Sequence, residues 1–444
     1  MKFFKRFRLF SWVTKAFLAK HGRTIIVASL IGIIGFFFIG KIMPLLPRLK
    51  KHEKVGKIGR LDLDNLPLEI TRLLSLGLTT VSTDGSAAPG LAKEWQISGD
   101  GLVYTFTLLD NIYWQDETPA TAWDINYNFS DVQVNVLSDK QIRFTLKEPF
   151  SPFLIILNQP VFKENYLGVG PYKIKRIKKS ANLVEKITLT SPEKDISFRY
   201  YPTEEAALVA FKMGEIDVLD RLIKPQLDEK WLSKVNLEEK IVLDQYLGLF
   251  FNTEDQIFSE KSYRQALAYA IEDKTYGDRR ATGPISPISW AYNPDAKLYD
   301  YNPAKAKELF DLDEKVKIKI STTEPFLDQA EKIKRSWEEV LNVEVEIALI
   351  NSLSEEFQIF LGIQEIPSDP DQYVFWHSTR NTNITKFKSP KIDKLLEDGR
   401  TITSKEERLE KYLDFQRFIS EESPVIFLSH PKTYRLSRKR LSFF

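Results

Sequence analysis

From Leu102 to Leu108 polar and apolar positions alternate, with Tyr104, Phe106 and Leu108 on one face and Val103, Thr105 and Thr107 on the other. That period of two, in β-branched and aromatic residues, predicts a strand. Ser98-Gly99-Asp100-Gly101 precedes it and predicts a tight turn, because Gly and Asp tolerate positive φ. After polar and turn residues from Asn111 to Ala120, Thr121 stands where its hydroxyl would cap a short helix through Ala122 to Ile125. Asp139 to Pro149 reads as a second strand-like run. Glu204 to Met213 predicts a helix closed by Gly214 and leading into a strand near Val218. Within Asn252 to Ile271, Tyr263, Ala266 or Leu267, and Ala270 or Ile271 share one stripe, the pattern of a helix packing by one face. Asn302 is placed to cap a further helix that has Pro303 at its first position. Ile318 to Ile320, a helix near Leu327 to Val340 and Val343 to Leu349 give a β-α-β alternation. A helix around Glu406 to Ile419 and a strand from Pro424 to Leu428 follow. With no repeat and no low-complexity tract, this mixture predicts an α/β chain.

The N-terminal end departs from that pattern. Thr24 to Gly40 is a run of 17 residues without a charge, and apolar character resumes after Lys41 as far as Pro47. At about 1.5 Å per residue the run reaches across a bilayer if Lys41 snorkels toward the head groups. A cleaved signal peptide is the rival reading. The basic leader is long and no small-x-small site follows, so an uncleaved anchor is favoured. Phe3, Phe7, Phe10, Val13 and Phe17 recur at helical spacing among basic residues, as either an interfacial helix or simply the basic leader.

At 444 residues the chain exceeds one ordinary core, and two or three lobes are expected. The net charge of +2 conceals an asymmetry: residues 1–60 hold 14 Lys and Arg against the single acid Glu53, which leaves the remainder acidic overall. The basic end adjoins the apolar run, so it reads as a feature of a lipid bilayer surface and not as a nucleic-acid arm. Charge does not orient the anchor, since residues 1–23 and 41–60 carry seven basic residues each.

Candidate chemistry is sparse. Without cysteine there is no disulfide, thiolate metal site, cysteine nucleophile or lipid-modified cysteine. His21, His52, His377 and His430 are scattered and form no helical pair, so no metal site is predicted, and His377 reads as a surface or core residue. Carboxylates are abundant, but with 28 % charged residues they read as solvated surface, and no catalytic pair is assigned. Gly168-Val169-Gly170 reads as a backbone turn before a strand. A phosphate cradle is the disfavoured alternative there, because no helix N-terminus follows and Pro171 lacks a donor.

Taken in order, Pro89, Leu91-Ala92, Trp95, Ser98 to Gly101, Tyr104-Thr105-Phe106, Trp114-Gln115-Asp116 and Thr121-Ala122-Trp123-Asp124 resemble the signature of the family 5 extracellular solute-binding proteins. These are the substrate-binding subunits of peptide and nickel ABC importers. Gly168 to Tyr172, Gly214 to Val218, the Arg264-Gln265-Ala266-Leu267 helix and the Asn302-Pro303 cap are similar to later motifs, so the resemblance spans roughly residues 61–440. It implies a two-lobed periplasmic-binding-protein-like fold of type II behind the N-terminal transmembrane helix. The stretch between Asp124 and Gly168 is short for the family, which implies a reduced accessory lobe.

The expected organisation is a basic cytoplasmic segment (1–23), a signal anchor (24–45) and a tether (46–60). Lobe 1 (61–245) follows, with the accessory lobe at about 95–165, then lobe 2 (246–420) and a return to lobe 1 (421–444). The resemblance places the folded part outside the cytoplasmic membrane, capturing an oligopeptide or similar small solute for an ABC permease, without cofactor or catalysis. A tethered interaction or structural domain that retains the fold is the alternative.

The candidate ligand site is Gly362 to Tyr373, which resembles the family's Asp-x-x-Asp-Pro loop. In peptide-binding members the first aspartate of that loop meets the ligand's α-ammonium. Aligning Asp369-Pro370 puts Ile366 where that acid belongs, and Glu365, one residue away, would point to the opposite side of a strand. Asp369 reads more as a loop-shaping residue, and Tyr373 and Trp376 as either cleft walls or core.

Overall fold

The computed structural model describes residues 12, 15, 17–33, 35, 50–62, 66–180, 183–223, 225–312, 314–353 and 356–439. It divides into two compact units, Met1–Lys51 and His52–Phe444. In the first, residues 17–33 are helical, and Ile26, Leu30 and Ile31 are exposed. Among the described residues no helix is long and apolar enough to cross a membrane. The expected span continues over residues 34 and 36–45, which apart from Gly35 lie outside the described residues, as do Phe3, Phe7, Phe10 and Val13 of the amphipathic stretch.

Among its described residues the second unit holds two large sheets, a small four-stranded one and a two-stranded pairing of Thr79–Val81 with Ala87–Pro89. The first has seven strands in the order Val235–Ile241, Lys432–Arg438, Val218–Leu222, Lys51–Ile58, Lys194–Tyr201, Leu183–Thr190 and Lys173–Ser180. Apolar residues leave it on both faces: Val218 joins one core with Ile196 and Phe198, while neighbouring Leu219 joins another with Phe211 and Leu436. The helix Glu204–Met213 covers the second face. Thr203 accepts from the Ala206 N–H at 3.2 Å, and Gly214 (φ +86°) closes it in the left-handed region that glycine adopts without penalty. The strand Lys51–Ile58 corrects the expected tether: Val55 and Gly56 pair in parallel with Val218 and Leu219, so this segment is integral to the sheet. Its lysine-rich sequence hid the strand, because the apolar positions are few.

The six-stranded sheet runs Arg279–Arg280, Val425–His430, Gln245–Phe251, Ile359–Glu365, Val316–Thr322 and Val343–Leu349. Its central strands are buried on both faces. Leu247, Leu249, Phe251, Ile426 and Leu428 enter one core; Tyr246, Phe250, Val425 and Phe427 enter the other. Continuous apolar runs of this kind need cover on each side, which only an interior sheet position provides. The end of the chain therefore does not leave lobe 2 at 421. Val425–His430 is still inside the second sheet, and the return begins with Lys432–Arg438. The β-α-β unit forms as expected, with Val316–Thr322 parallel to Val343–Leu349 and Trp337 of the intervening helix Leu327–Val340 fully buried.

The small sheet is antiparallel, in the order Ala92–Ile97, Val103–Leu108, Gln141–Thr145 and Gln133–Ser138. Tyr104, Phe106 and Leu108 bury their side chains as the alternation predicts. At the turn Ser98 Oγ donates to Asp100 at 2.5 Å, Asp100 accepts the Leu102 N–H at 3.1 Å, and Gly101 takes φ +70°. Thr121 does not cap a full helix. Its N–H and hydroxyl both donate to Asp124 (2.8 and 3.0 Å) around a single 3-10 turn, Ala122–Asp124.

Gly168 and Gly170 are required for close approach. A Cβ on either would lie 2.0 to 2.7 Å from the backbone of Leu73 and Leu74 at the end of the helix Leu68–Leu74. The Gln115 amide stitches that junction by donating to the carbonyls of Leu74, Gly170 and Tyr172 at 3.1, 2.9 and 2.5 Å.

Candidate functional site: the cleft between the lobes

The chain passes between the two large sheets twice, at residues 242–244 and around Pro431, and the Val242 N–H donates to the Pro431 carbonyl at 2.9 Å. Both crossings therefore meet at one place. Beside them lies a cavity of about 500 Å³ bordered by the crossing segment, the Ser82–Gly85 turn, Asp220, Arg221, Ser286 and the loop Ile366–Ser368. That volume falls within the roughly 300–1,000 Å³ of ordinary small-molecule sites.

Asp220 and Arg221 both border the cavity although they are neighbours in the strand Val218–Leu222. In a regular strand they would point to opposite faces. The pairing with Lys432–Arg438 slips between Leu219 and Leu222, and Arg221 takes φ +60°, so a bulge aims both into the cleft.

The lobes are in contact across the cleft. The Trp290 N–H donates to the Asp84 carbonyl at 2.9 Å, Lys405 donates to Ser86 Oγ at 2.9 Å, and the Ser151 N–H donates to the Arg400 carbonyl at 2.7 Å. Lys405 also lies 3.6 Å from the Asp84 carboxylate. The Ser82 hydroxyl, then the Ser86 N–H, hold the Asp84 carboxyl down at about 2. Gly85 (φ +84°) touches the opposite lobe so closely that a Cβ would sit 2.4 Å from the Ser368 carbonyl oxygen. Gly85 also borders a second cavity of about 170 Å³ with Trp95, Tyr104, Trp290, Asp369 and Arg408.

The sequence-predicted site residues separate. Ile366 borders the large cavity, and its N–H donates to the Asp244 carbonyl at 2.8 Å. Glu365 is exposed at the end of its strand, opposite Gln245, and does not border the cavity. Asp369 is buried in an ion pair with Arg408 at 2.8 Å and accepts the Asp371 N–H at 2.9 Å, which shapes the loop. The Tyr373 ring stacks on His377 at 4.1 Å with Arg400 over it at 4.2 Å, and Trp376 is buried in the core beside Phe387 and Ile392. Neither aromatic borders the large cavity. His377 is buried, 2.9 Å from Thr379 Oγ1 and 3.4 Å from Glu397, and no metal-holding group of three or more His, Asp or Glu occurs among the described residues.

Sequence reasoning missed Asp84, Arg221, Asp244 and Ser286. No turn was read at Asp84-Gly85, and nothing local shows that a bulge, a crossing segment and a loop converge on one cavity.

The family model for bacterial extracellular solute-binding proteins, family 5 Middle, matches residues 86–386. The oligopeptide-binding protein OppA of Bacillus subtilis is 23 % identical, over 79 % of this chain and 80 % of its own. Heme-binding protein A of Haemophilus influenzae is 24 % identical, over 77 % and 78 %. Among solved structures, the ABC transporter substrate-binding protein CtaP of Listeria monocytogenes superposes with a TM-score of 0.76 at 21 % identity, covering 88 % of this chain and 95 % of that one. With two lobes around a cavity, and a match over most of the folded part, the chain belongs to the family 5 bacterial extracellular solute-binding proteins, a family of binders and not of enzymes.

Proposed function

We propose that this chain captures a peptide-like solute outside the cell and delivers it to an ABC permease, held to the cytoplasmic membrane by its apolar N-terminal run. The observation that carries the reading is the cavity beside two crossings that meet at Val242 and Pro431. A pair of adjacent crossings lets the lobes rotate about one line, so that opening admits a solute and closure excludes water. Backbone groups and a few side chains then hold the ligand without chemistry. The relatedness to OppA and CtaP supports the peptide class and the transporter. The charge-free run Thr24 to Gly40, flanked by basic residues, supports the anchor.

Ile366 favours a second reading, a tethered interaction domain that has kept the fold, because an apolar residue stands where the resemblance expects the ammonium-binding acid. Native mass spectrometry of the full chain, purified in mild detergent without refolding, separates the two. A co-purifying mass that fragments as peptide supports capture. A clean apo mass, unchanged by a peptide library, moves the assignment to the interaction domain.

A further inference from the structure

We propose that the open face of the seven-stranded sheet, on the strands Lys51–Ile58, Lys194–Tyr201, Leu183–Thr190 and Lys173–Ser180, docks on an anionic phospholipid surface. The proposal rests on the anchored reading above and adds to it a second, electrostatic contact between the folded part and the bilayer.

Strand periodicity builds the face. Ile177, Ile187, Ile196 and Phe198 turn into the core that Val218 joins, so Arg176, Lys178, Lys186, Ser197 and Arg199 turn the other way. The ladder sets Lys178 directly opposite Lys186, and Lys186 directly opposite Arg199. His52 Nε2 lies 2.7 Å from Ser197 Oγ, which carries the face onto the strand Lys51–Ile58, where Lys54 follows His52 on the same side. The helix Glu204–Met213 covers this side of the sheet around Leu219 and Leu436. At the other end Arg176 and Lys178 are exposed, and Lys54, Lys186 and Arg199 are half-buried.

This arrangement works against the fold. Like charges directly opposite on neighbouring strands destabilise a sheet, and here three cations stand in one row across three strands. Burial, then Arg199, Lys54, Arg176 and Lys178, holds the Lys186 ammonium below its ordinary pKa. Glu185 meets Lys178 at 2.5 Å and Glu215 meets Arg199 at 2.5 Å, so two carboxylates answer five cations. A surface dense in negative charge is the complement that relieves such repulsion.

Chain length selects which surface. Lys51, the first residue of this face, is six residues beyond the end of the expected anchor at residue 45. At no more than about 3.6 Å per residue, the strand starts within about 20 Å of the point where the chain leaves the bilayer. A face whose own first strand is held at that distance meets phospholipid head groups before any soluble polyanion.

The test uses the full chain in lipid nanodiscs of phosphatidylcholine, with or without phosphatidylglycerol, carrying an energy-transfer acceptor on the head groups. The chain has no cysteine, so a donor dye is placed uniquely at Ser180→Cys, exposed at the end of the strand Lys173–Ser180. Transfer should rise when phosphatidylglycerol is present and fall back at about 1 M salt, where the screening length is about 3 Å. Each cation near an anionic leaflet strengthens association about fivefold. Replacing three, as Arg176→Gln, Lys178→Gln and Lys186→Gln together, should therefore lower the docking equilibrium about a hundredfold and return transfer to its phosphatidylcholine level. The lipid and salt dependence of the unmodified chain tests docking independently of how the variant folds. Transfer that is equal in both lipids, or unchanged by the three substitutions, would overturn the proposal, while retention in both discs leaves the anchor standing. Duplex DNA bound by the chain in phosphatidylcholine discs, without any phosphatidylglycerol effect, overturns it in favour of a nucleic acid. A chain retained only by phosphatidylglycerol discs and released by salt overturns the anchored reading and keeps the docking face; a chain that enters neither disc overturns both.

Discussion

The backbone N–H of Ile366 donates to the carbonyl oxygen of Asp244 at 2.8 Å, one step beyond the paired strands Gln245–Phe251 and Ile359–Glu365. This bond ties the segment that crosses between lobes to the loop that borders the cavity. A rotation at residues 242–244 therefore moves the cavity wall with it, and a ligand pressing on that wall acts on the crossing.

Gly85 is a point of close approach between the lobes. Gly85→Ala adds a Cβ 2.4 Å from the Ser368 carbonyl and forces a side chain into φ +84°. The variant should hold the lobes apart: small-angle scattering should give a larger radius of gyration, and solute affinity should drop. An unchanged scattering profile would show that this contact does not limit closure.

Asp369 holds Arg408 within the loop that the sequence singles out. Both side chains are at most 9 % exposed, and the guanidinium also donates to the Gly399 carbonyl at 2.8 Å. Removing one partner of a buried pair leaves an unmatched charge, so Asp369→Ala should cost about 3–5 kcal/mol in urea unfolding. Replacing both, as Asp369→Leu with Arg408→Met, should recover much of that loss. Equal losses in single and double variants would mean that the pair matters by packing alone.

Much of the architecture was legible because local signals agreed with the final packing. The helix Glu204–Met213 carries its cap and its closing glycine in sequence, and Tyr104, Phe106 and Leu108 alternate as they bury. Arg264, within a motif the resemblance singled out, is buried because its guanidinium satisfies the carbonyls of Phe258, Ser259 and Glu422 at 2.7, 3.0 and 2.6 Å. The strand Lys51–Ile58 was not legible, since its polar residues look like a linker and only its pairing with Val218 and Leu219 makes it a strand. The cavity was legible only through Ile366. Asp244, Arg221 and Ser286 come from separate segments, and no local pattern encodes a bulge or a meeting of loops.

Gly168 shows the same point in reverse, as a glycine whose reason is tertiary. A Cβ there would lie 2.0 Å from the Leu74 carbonyl oxygen. Gly168→Ala should destabilise the fold by about 3 kcal/mol or more, since the clash is with backbone that cannot swing aside. Gly283→Ala, whose nearest neighbour would be 3.8 Å away, should change stability little. Comparable melting of the two variants would contradict the account of the junction.

Lys274 is buried and donates to the Ile271 carbonyl at 2.5 Å, and burial brings its pKa down to about 8. The unfolded chain keeps the ordinary value, so between pH 8 and 10.5 it binds the extra proton. Stability should therefore rise with pH across that window. At neutral pH the buried charge is a cost, and Lys274→Met should stabilise the fold by up to about 3 kcal/mol and flatten the rise. A variant that keeps the alkaline rise would place its origin elsewhere.

The absence of cysteine makes closure on a ligand directly measurable. Labels at Lys93→Cys on the strand Ala92–Ile97 and at Lys305→Cys on the helix Pro303–Leu309 report the distance between lobes by pulsed electron resonance. The ligand-free chain should show a broad distance distribution that shortens and narrows when the solute found by mass spectrometry is added. An identical distribution with that solute bound would contradict hinge closure.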